Sequence, residues 1–303
     1  MSAKDPIQYY DRYKKTVETE QVYGEGWLRW TYSSPFGRLA LHLLVKRAIF
    51  ARYYGWRMNG KYSASKVLPF IIDYGVNHQE FVKSPYSFDS FNEFFIRALK
   101  PEARPIAGGD RVAILPADGR HLVFPNVDEA DGFYVKGAKF TLTELLGDAA
   151  LAEKFAGGGM VISRLCPSDY HRFHFPCAGI PGEPRLIKGW LYSVNPVALR
   201  RNIRYLVENK RMVTLHESPV FGTVALIEVG ATCVGTIRQL FADGRPVPKG
   251  EEKGLFKFGG SCVITLFQRG RIRFDADLVA QSKECRETYA RMGDRLGDRL
   301  GEG

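Results

Sequence analysis

The chain holds no run of about 18 apolar residues, the least from which a membrane-spanning helix is read. The nearest approach, Leu39 to Trp56, is broken by His42, Lys46, Arg47 and Arg52. The expectation is a chain that is soluble or lies on a membrane surface. Cysteine is scarce: five residues, at positions 166, 177, 233, 262 and 285, odd in number and widely spaced. That argues against a disulfide-stapled secreted domain and points to a reducing compartment. Met1-Ser-Ala-Lys-Asp-Pro lacks the basic and then apolar blocks of a secretory leader, so none is expected. Acidic residues run short, with Lys+Arg 43 against Asp+Glu 33 leaving +10. A surplus of that sign favours nucleic acid, an acidic lipid surface or a phosphate-bearing substrate. The rest is ordinary. Hydrophobic residues are 45% and charged ones 25%, as in globular domains, and 303 residues suffice for one large domain or two modest ones.

The first hundred residues read as helical and the remainder as β-rich, which predicts an α+β fold divided into 1–100 and 101–303. From Gly37 to about Asn59 no proline occurs, and Arg38, His42 and Lys46 recur at i, i+4, i+8. Leu39, Leu43, Phe50 and Tyr54 gather away from that row. One reading is a helix lying in the interface of an anionic membrane; the other is a domain-packing helix with a solvated basic face. A second helix is expected over Ser87–Leu99, capped by Ser87 or Asp89 and stopped by Pro101. Beyond Pro105, short apolar runs predict strands at Val112–Leu115, Met160–Leu165, Val224–Val229, Cys233–Ile237 and Cys262–Phe267. Turns are expected at Asp118-Gly119, Asp131-Gly132 and Asp243-Gly244, and a frayed tail over the last twenty residues.

Three segments could carry chemistry. In Leu115-Pro-Ala-Asp118-Gly119-Arg120 an Asp-Gly after a strand is a turn, yet a turn can also fix an orienting carboxylate. In Cys166-Pro-Ser-Asp169-Tyr170-His171-Arg172-Phe173-His174-Phe-Pro-Cys177, four N/S ligands admit zinc. The spacing is poor for it, and acid–base work or a hydrogen-bonded structural pair of histidines are the other readings. In Lys257-Phe-Gly259-Gly260-Ser261-Cys262, two glycines deliver a serine to the mouth of an apolar strand. This suits a strand-entry turn, or an unshielded backbone under attack. It is neither a phosphate loop nor Gly-x-Ser-x-Gly. Together Asp118, a histidine of the 171/174 pair and Ser261 supply an acid, a base and a nucleophile.

These segments resemble the phosphatidylserine decarboxylase family. The resemblance begins at Trp30-Thr-Tyr-Ser-Ser-Pro-Phe-Gly37 and Phe94-Phe-Ile-Arg-Ala-Leu-Lys-Pro-Glu-Ala-Arg-Pro-Ile106. It continues through Pro116-Ala-Asp-Gly119, Asp169-Tyr-His-Arg-Phe-His174, Tyr192-Ser-Val-Asn-Pro196, Glu228-Val-Gly-Ala-Thr-Cys-Val-Gly-Thr-Ile237 and Lys257-Phe-Gly-Gly-Ser261. Gly-Gly-Ser is closer to the bacterial, clostridial-type branch than to the Leu-Gly-Ser-Thr branch.

The resemblance implies a proenzyme cleaved between Gly260 and Ser261, leaving a large and a small subunit as a heterodimer. Ser261 would become a covalent pyruvoyl group, which condenses with the substrate amine as a Schiff base. His174, paired with Asp118, would serve cleavage, and His171 would protonate the product carbanion to give phosphatidylethanolamine. Partners implied are phosphatidylserine and an anionic membrane surface, with a higher oligomer possible and no nucleic acid or metal. The location implied is peripheral, on the cytoplasmic side of the cell membrane. Cys262 stands where the family usually has Thr or Ser, which raises the expectation of slower cleavage. Rival readings are an uncleaved membrane-bound homologue, a zinc module built on Cys166, His171, His174 and Cys177, and a related pyruvoyl decarboxylase acting on another phospho-amino substrate.

Overall fold

The computed structural model describes residues 6–129, 140–232, 236–257, 259 and 261–301. The architecture is α+β. Strands form at Val112–Ile114, Gly159–Leu165, Gly222–Val229 and Ser261–Phe267, where the apolar runs predict them. Their residues alternate between two covered faces, which favours the branched and aromatic side chains found there. Met160, Ile162, Ile264 and Leu266 pack one face of the sheet with Leu145 and Leu206. Val161, Val224, Leu226 and Phe267 pack the other with Phe274 and Leu296. Burying each such side chain contributes about 1.5–3 kcal/mol.

Ten strands make the main sheet. Its order is Thr16–Thr19, Gln8–Asp11, Glu287–Ala290, Gly119–Phe124, Gly159–Leu165, Ser261–Phe267, Gly222–Val229, Arg211–Ser218 and Ile180–Pro181. Arg185–Ile187 also pairs with Arg211–Ser218. Only Gln8–Asp11 on Glu287–Ala290 runs parallel. Residues 1–100 therefore supply strands to the sheet as well as helices. A separate three-stranded sheet, Ile237–Gln239, Glu252–Phe256 and Arg172–His174, carries the histidine segment.

The expected helix over Gly37–Asn59 is not continuous. Pro35–Ala40 is α-helical, Leu41–Val45 is a π-type turn, Arg47 is extended, and a second α-helix runs Ala48–Asn59. The cause is packing: Leu41 and Val45 bury against Tyr192 and Ala198. Lys46 points to the β-rich part, its Nζ 4.1 Å from the Trp190 ring centroid and donating to the Tyr192 hydroxyl at 3.0 Å. The basic row is thus not one solvated stripe. The helix expected over Ser87–Leu99 shrinks to Phe91–Phe95, capped by Ser90. Phe88, Phe91, Phe94 and Phe95 are all buried in an aromatic cluster with Phe70 and Phe81, which ends the helix early.

The carboxy-terminal stretch is ordered, not frayed, over its described residues as far as Gly301. Arg295–Arg299 lies between Ile272–Phe274 and Val112–Ile114, with Leu296 fully buried. Gly297 permits this approach, since a Cβ there would meet the Arg273 carbonyl oxygen at 2.3 Å. The Asp243-Gly244 turn forms with Gly244 at φ 72°. The Asp131-Gly132 turn and most of the run expected from Cys233 lie outside the described residues, and the strand there begins at Ile237.

Candidate active site

Three neighbouring strands of the main sheet bring the candidate segments to one edge. Arg120 pairs with Arg164, and Ser261 pairs with Leu165 from the other side. At about 4.8 Å per strand, the Gly119 and Ser261 backbones sit about 10 Å apart across Leu165. Asp118 is not in a free turn but directly precedes the strand Gly119–Phe124. Gly119 is needed there, because a Cβ would meet the Arg164 carbonyl oxygen at 2.4 Å.

The histidine segment crosses the same edge. The His174 N–H donates to the Pro116 carbonyl at 2.8 Å, two residues before Asp118. The Phe256 N–H donates to the His171 carbonyl at 3.0 Å. The chain from Phe256 to Ser261 therefore starts beside His171 and ends beside Leu165. Gly260, the expected cleavage residue, lies outside the described residues. Period two puts Ser261 on the face of Val263, which packs with Ala117, Leu165, Phe173 and Phe256. Cys262 faces the opposite cluster with Ile264 and Leu266, and burial pushes its thiol pKa up.

The site is dry. Ser261 and His171 are fully buried, and His174 is nearly so. Burial lowers the His171 pKa to about 3, although the Asp169 carbonyl, Asp118 and the Gly259 backbone favour its charged form. Burial also lowers His174 to about 4, against the pull of Asp118. Both rings are neutral at neutral pH, the state a base requires. His171 Nδ1 is 3.0 Å from the Asp169 carbonyl oxygen, and its ring lies 3.9 Å from that of Phe95. Ser261 Oγ, His171 Nε2 and His174 Nδ1 have no hydrogen-bond partner among the described residues. Asp118 bonds neither ring: its carboxylate accepts from Arg104 and from the Met292 N–H.

A cavity of about 600 Å³ opens beside this edge. Tyr23, Trp27, Phe50 and Tyr54 of the amino-terminal region form one wall, and Leu165 and Gly259 belong to the other. It is mostly apolar and reaches the segment that precedes Ser261.

Residues 91–298 match the family model described as phosphatidylserine decarboxylase. The chain is 46% identical over 292 residues to the phosphatidylserine decarboxylase proenzyme of Chlamydia muridarum, covering 96% of this chain and 97% of the relative. It is 43% identical over 291 residues to the proenzyme of the same name from Clostridium kluyveri, covering 96% and 98%. The chain belongs to the phosphatidylserine decarboxylase family.

Family membership and packing bear on the rival readings. Among the described residues, no group of three or more His, Cys, Asp or Glu is placed to hold a metal ion. Cys166 is held instead by Arg164, whose Nη1 lies 3.1 Å from its sulfur. Sequence reasoning missed the charged framework around this decarboxylase-family site. Arg164 is clamped by Glu20 and Glu287, and Arg120 by Asp169. Glu20 and Glu287 are remote in sequence from Arg164, so no local spacing could have linked them. Arg97 and Arg104 stood within the family-like run Phe94–Ile106 but carried no assigned role.

Proposed function

We propose that this chain is a proenzyme that cuts itself between Gly260 and Ser261. The mature protein decarboxylates phosphatidylserine to phosphatidylethanolamine. The observation that carries the cleavage site is the set of orphaned buried atoms: among the described residues Ser261 Oγ, His171 Nε2 and His174 Nδ1 all lack partners. An unmade hydrogen bond at a buried polar group costs about 1–3 kcal/mol, so three together favour a reactive centre over a packing accident.

In the proposed sequence His174 takes the Ser261 hydroxyl proton, helped by the nearby Asp118 charge. Ser261 Oγ attacks the Gly260 carbonyl carbon, the Gly260–Ser261 C–N bond breaks as its nitrogen takes that proton from His174, and an ester replaces the peptide. Loss of the Ser261 Cα proton expels the Gly260 carboxylate and cuts the chain. Water then replaces the amino nitrogen of the residue left at the new terminus, releasing ammonia. A fully buried Ser261 whose hydroxyl has no partner among the described residues fits the formation of a pyruvoyl group. When present, that group supplies an electron sink for carbanion chemistry. His171, neutral before substrate binds, would take a proton from the substrate ammonium at Nε2 and return it where carbon dioxide departs, and Phe95 keeps water from its ring. The apolar cavity accommodates part of the lipid and admits it to the Gly259 side.

The amino-terminal region is proposed to dock on an anionic membrane from the cytoplasmic side, as a peripheral protein. Phe36, Leu39, Leu43, Ile49 and Trp56 are exposed apolar residues, with Arg38 and Arg52 exposed among them. Among the described residues, no helix is long and apolar enough to cross a membrane. The two cleaved pieces remain together as a heterodimer because Ser261–Phe267 is central in the main sheet. The function is tested by labelled carbon dioxide release from carboxyl-labelled phosphatidylserine. Wild-type protein should release it and Ser261→Ala should not; no release by processed wild-type protein contradicts the reading.

A further inference from the structure

A second cavity, about 240 Å³ and polar, lies behind the histidine segment and shares Tyr74 and Ser168 with the apolar one. Four arginines line it, at 97, 104, 120 and 291, against Glu80, Asp118 and Asp169. Every acid there is already engaged. Asp118 pairs with Arg104 at 2.6 Å, Asp169 with Arg120 at 2.6 Å, and Glu80 with Arg104 at 2.9 Å and Arg291 at 3.5 Å.

Arg97 is left over. Its Nη2 donates to the Ser168 and Asp169 carbonyls, while its Nε and Nη1 have no partner among the described residues. It is only 5% exposed and stacks over Phe81 and Phe94, with no carboxylate in ion-pair reach among the described residues. Burial lowers its pKa to about 10, which leaves it charged at neutral pH. A buried cation without a counter-ion is costly, by several kcal/mol. Arg291 adds an unpartnered buried Nε on the same cavity.

We propose that Arg97, with Arg291, binds a phosphate oxyanion in this cavity, and that its source is the phosphodiester of the lipid headgroup. The choice of source rests on the decarboxylase reading above; the site itself does not. Two observations favour it. Arg97 Nη2 and His171 Nδ1 share the Asp169 carbonyl oxygen, so the Arg97 guanidinium sits one carbonyl from the proposed proton donor. In a serine headgroup the phosphorus lies three bonds, roughly 4 Å, from the carbon that loses carbon dioxide. A phosphate on Arg97 would hold that carbon near His171, with the acyl chains directed to the adjoining apolar cavity. Guanidinium suits this ligand because it stays charged and a free N–H of Arg97 can donate a charge-assisted hydrogen bond to a phosphate oxygen.

The test is thermal unfolding of the purified full chain at constant ionic strength in chloride, inorganic phosphate or glycerophosphoserine. Glycerophosphoserine near saturation should raise Tm by roughly 5 °C over chloride. The rise should vanish in Arg97→Gln and shrink in Arg291→Gln. If Arg97→Gln does not fold, Arg291→Gln and the wild-type titrations still decide. No rise for wild type with either phosphate compound overturns the site, whatever carbon dioxide assays show. A full rise in both variants also overturns it, since the ion would be binding elsewhere. With a soluble short-chain phosphatidylserine, inorganic phosphate that binds should raise KM and leave kcat alone. Binding without that competition overturns the headgroup assignment. A phosphate-dependent Tm rise in protein that releases no carbon dioxide would support the site and count against the decarboxylase reading instead.

Discussion

Arg104 holds Asp118 by two nitrogens, Nε at 2.8 Å from one oxygen and Nη2 at 2.6 Å from the other. The carboxylate is therefore fixed, buried and separate from both histidine rings, although its charge favours protonation of each. Asp118 in the uncut chain acts on the histidines through space.

The two histidines should separate by reaction. His174→Ala and Asp118→Ala should accumulate uncut chain. His171→Ala should cut substantially and then lose carbon dioxide release by about 10²–10⁴-fold. Gel mobility and labelled carbon dioxide release for each variant check this. Failure of His171→Ala to cut while His174→Ala cuts normally would reverse the assignment.

Cys262 should be dispensable for cleavage. Its side chain joins Ile264 and Leu266 on the face opposite Ser261, so it does not share the reacting side of the strand. Cys262→Ala should cut within about threefold of the wild-type rate, well under the effect typical of a participating group. A loss beyond about tenfold would place the thiol in the reaction. The family motif shows the identity of this residue, from which slower cleavage is the expectation, and the fold shows its facing; the cleavage rate of Cys262→Ala separates the two.

Stability should fall in acid. His121 and His174 are lowered to about 4 and His171 to about 3, each chiefly by burial, whereas unfolded histidine titrates near 6.5. The unfolded chain thus binds more protons below about pH 6.5. The stabilisation is complete above that pH and is lost as pH falls towards 4. Tm of Ser261→Ala should be level from pH 8 to 7 and decline through pH 5. A level Tm to pH 5 would contradict the burial of these rings.

Much of this was legible in the sequence, and the failures share a cause. Strands such as Gly159–Leu165 and Ser261–Phe267 were visible because alternation between two buried faces leaves an unbroken apolar run. Asp118, His171, His174 and Ser261 stood out because each sits in a short distinctive segment. The break at Lys46–Arg47 was not legible, since it depends on Trp190 and Tyr192, far along the chain. The tail does not read as ordered because its buried anchors, Ala290, Met292 and Leu296, are scattered among Gly, Asp and Arg. Arg97 and Arg104 were legible as part of a motif, but their partners at Asp169 and Asp118 belong to the fold.

Membrane docking should depend more on apolar side chains than the basic row alone suggests, because Lys46 is occupied by Trp190 and Tyr192. Leu43→Asp with Trp56→Asp should abolish co-sedimentation with vesicles containing phosphatidylserine, and leave cleavage intact. Arg38→Glu should weaken it at low salt only, since exposed charges are screened within about 10 Å at 0.1 M. Undiminished binding by the double variant would exclude this face.

Intact-mass spectrometry of the purified chain tests self-cleavage most directly. The uncut protein is 34.2 kDa. Cleavage before Ser261 should replace it with pieces of about 29.3 and about 4.9 kDa, apportioned by length. The smaller should carry a blocked amino terminus, and Ser261→Ala should stay whole. A wild-type chain that persists as a single 34.2 kDa species would contradict the account.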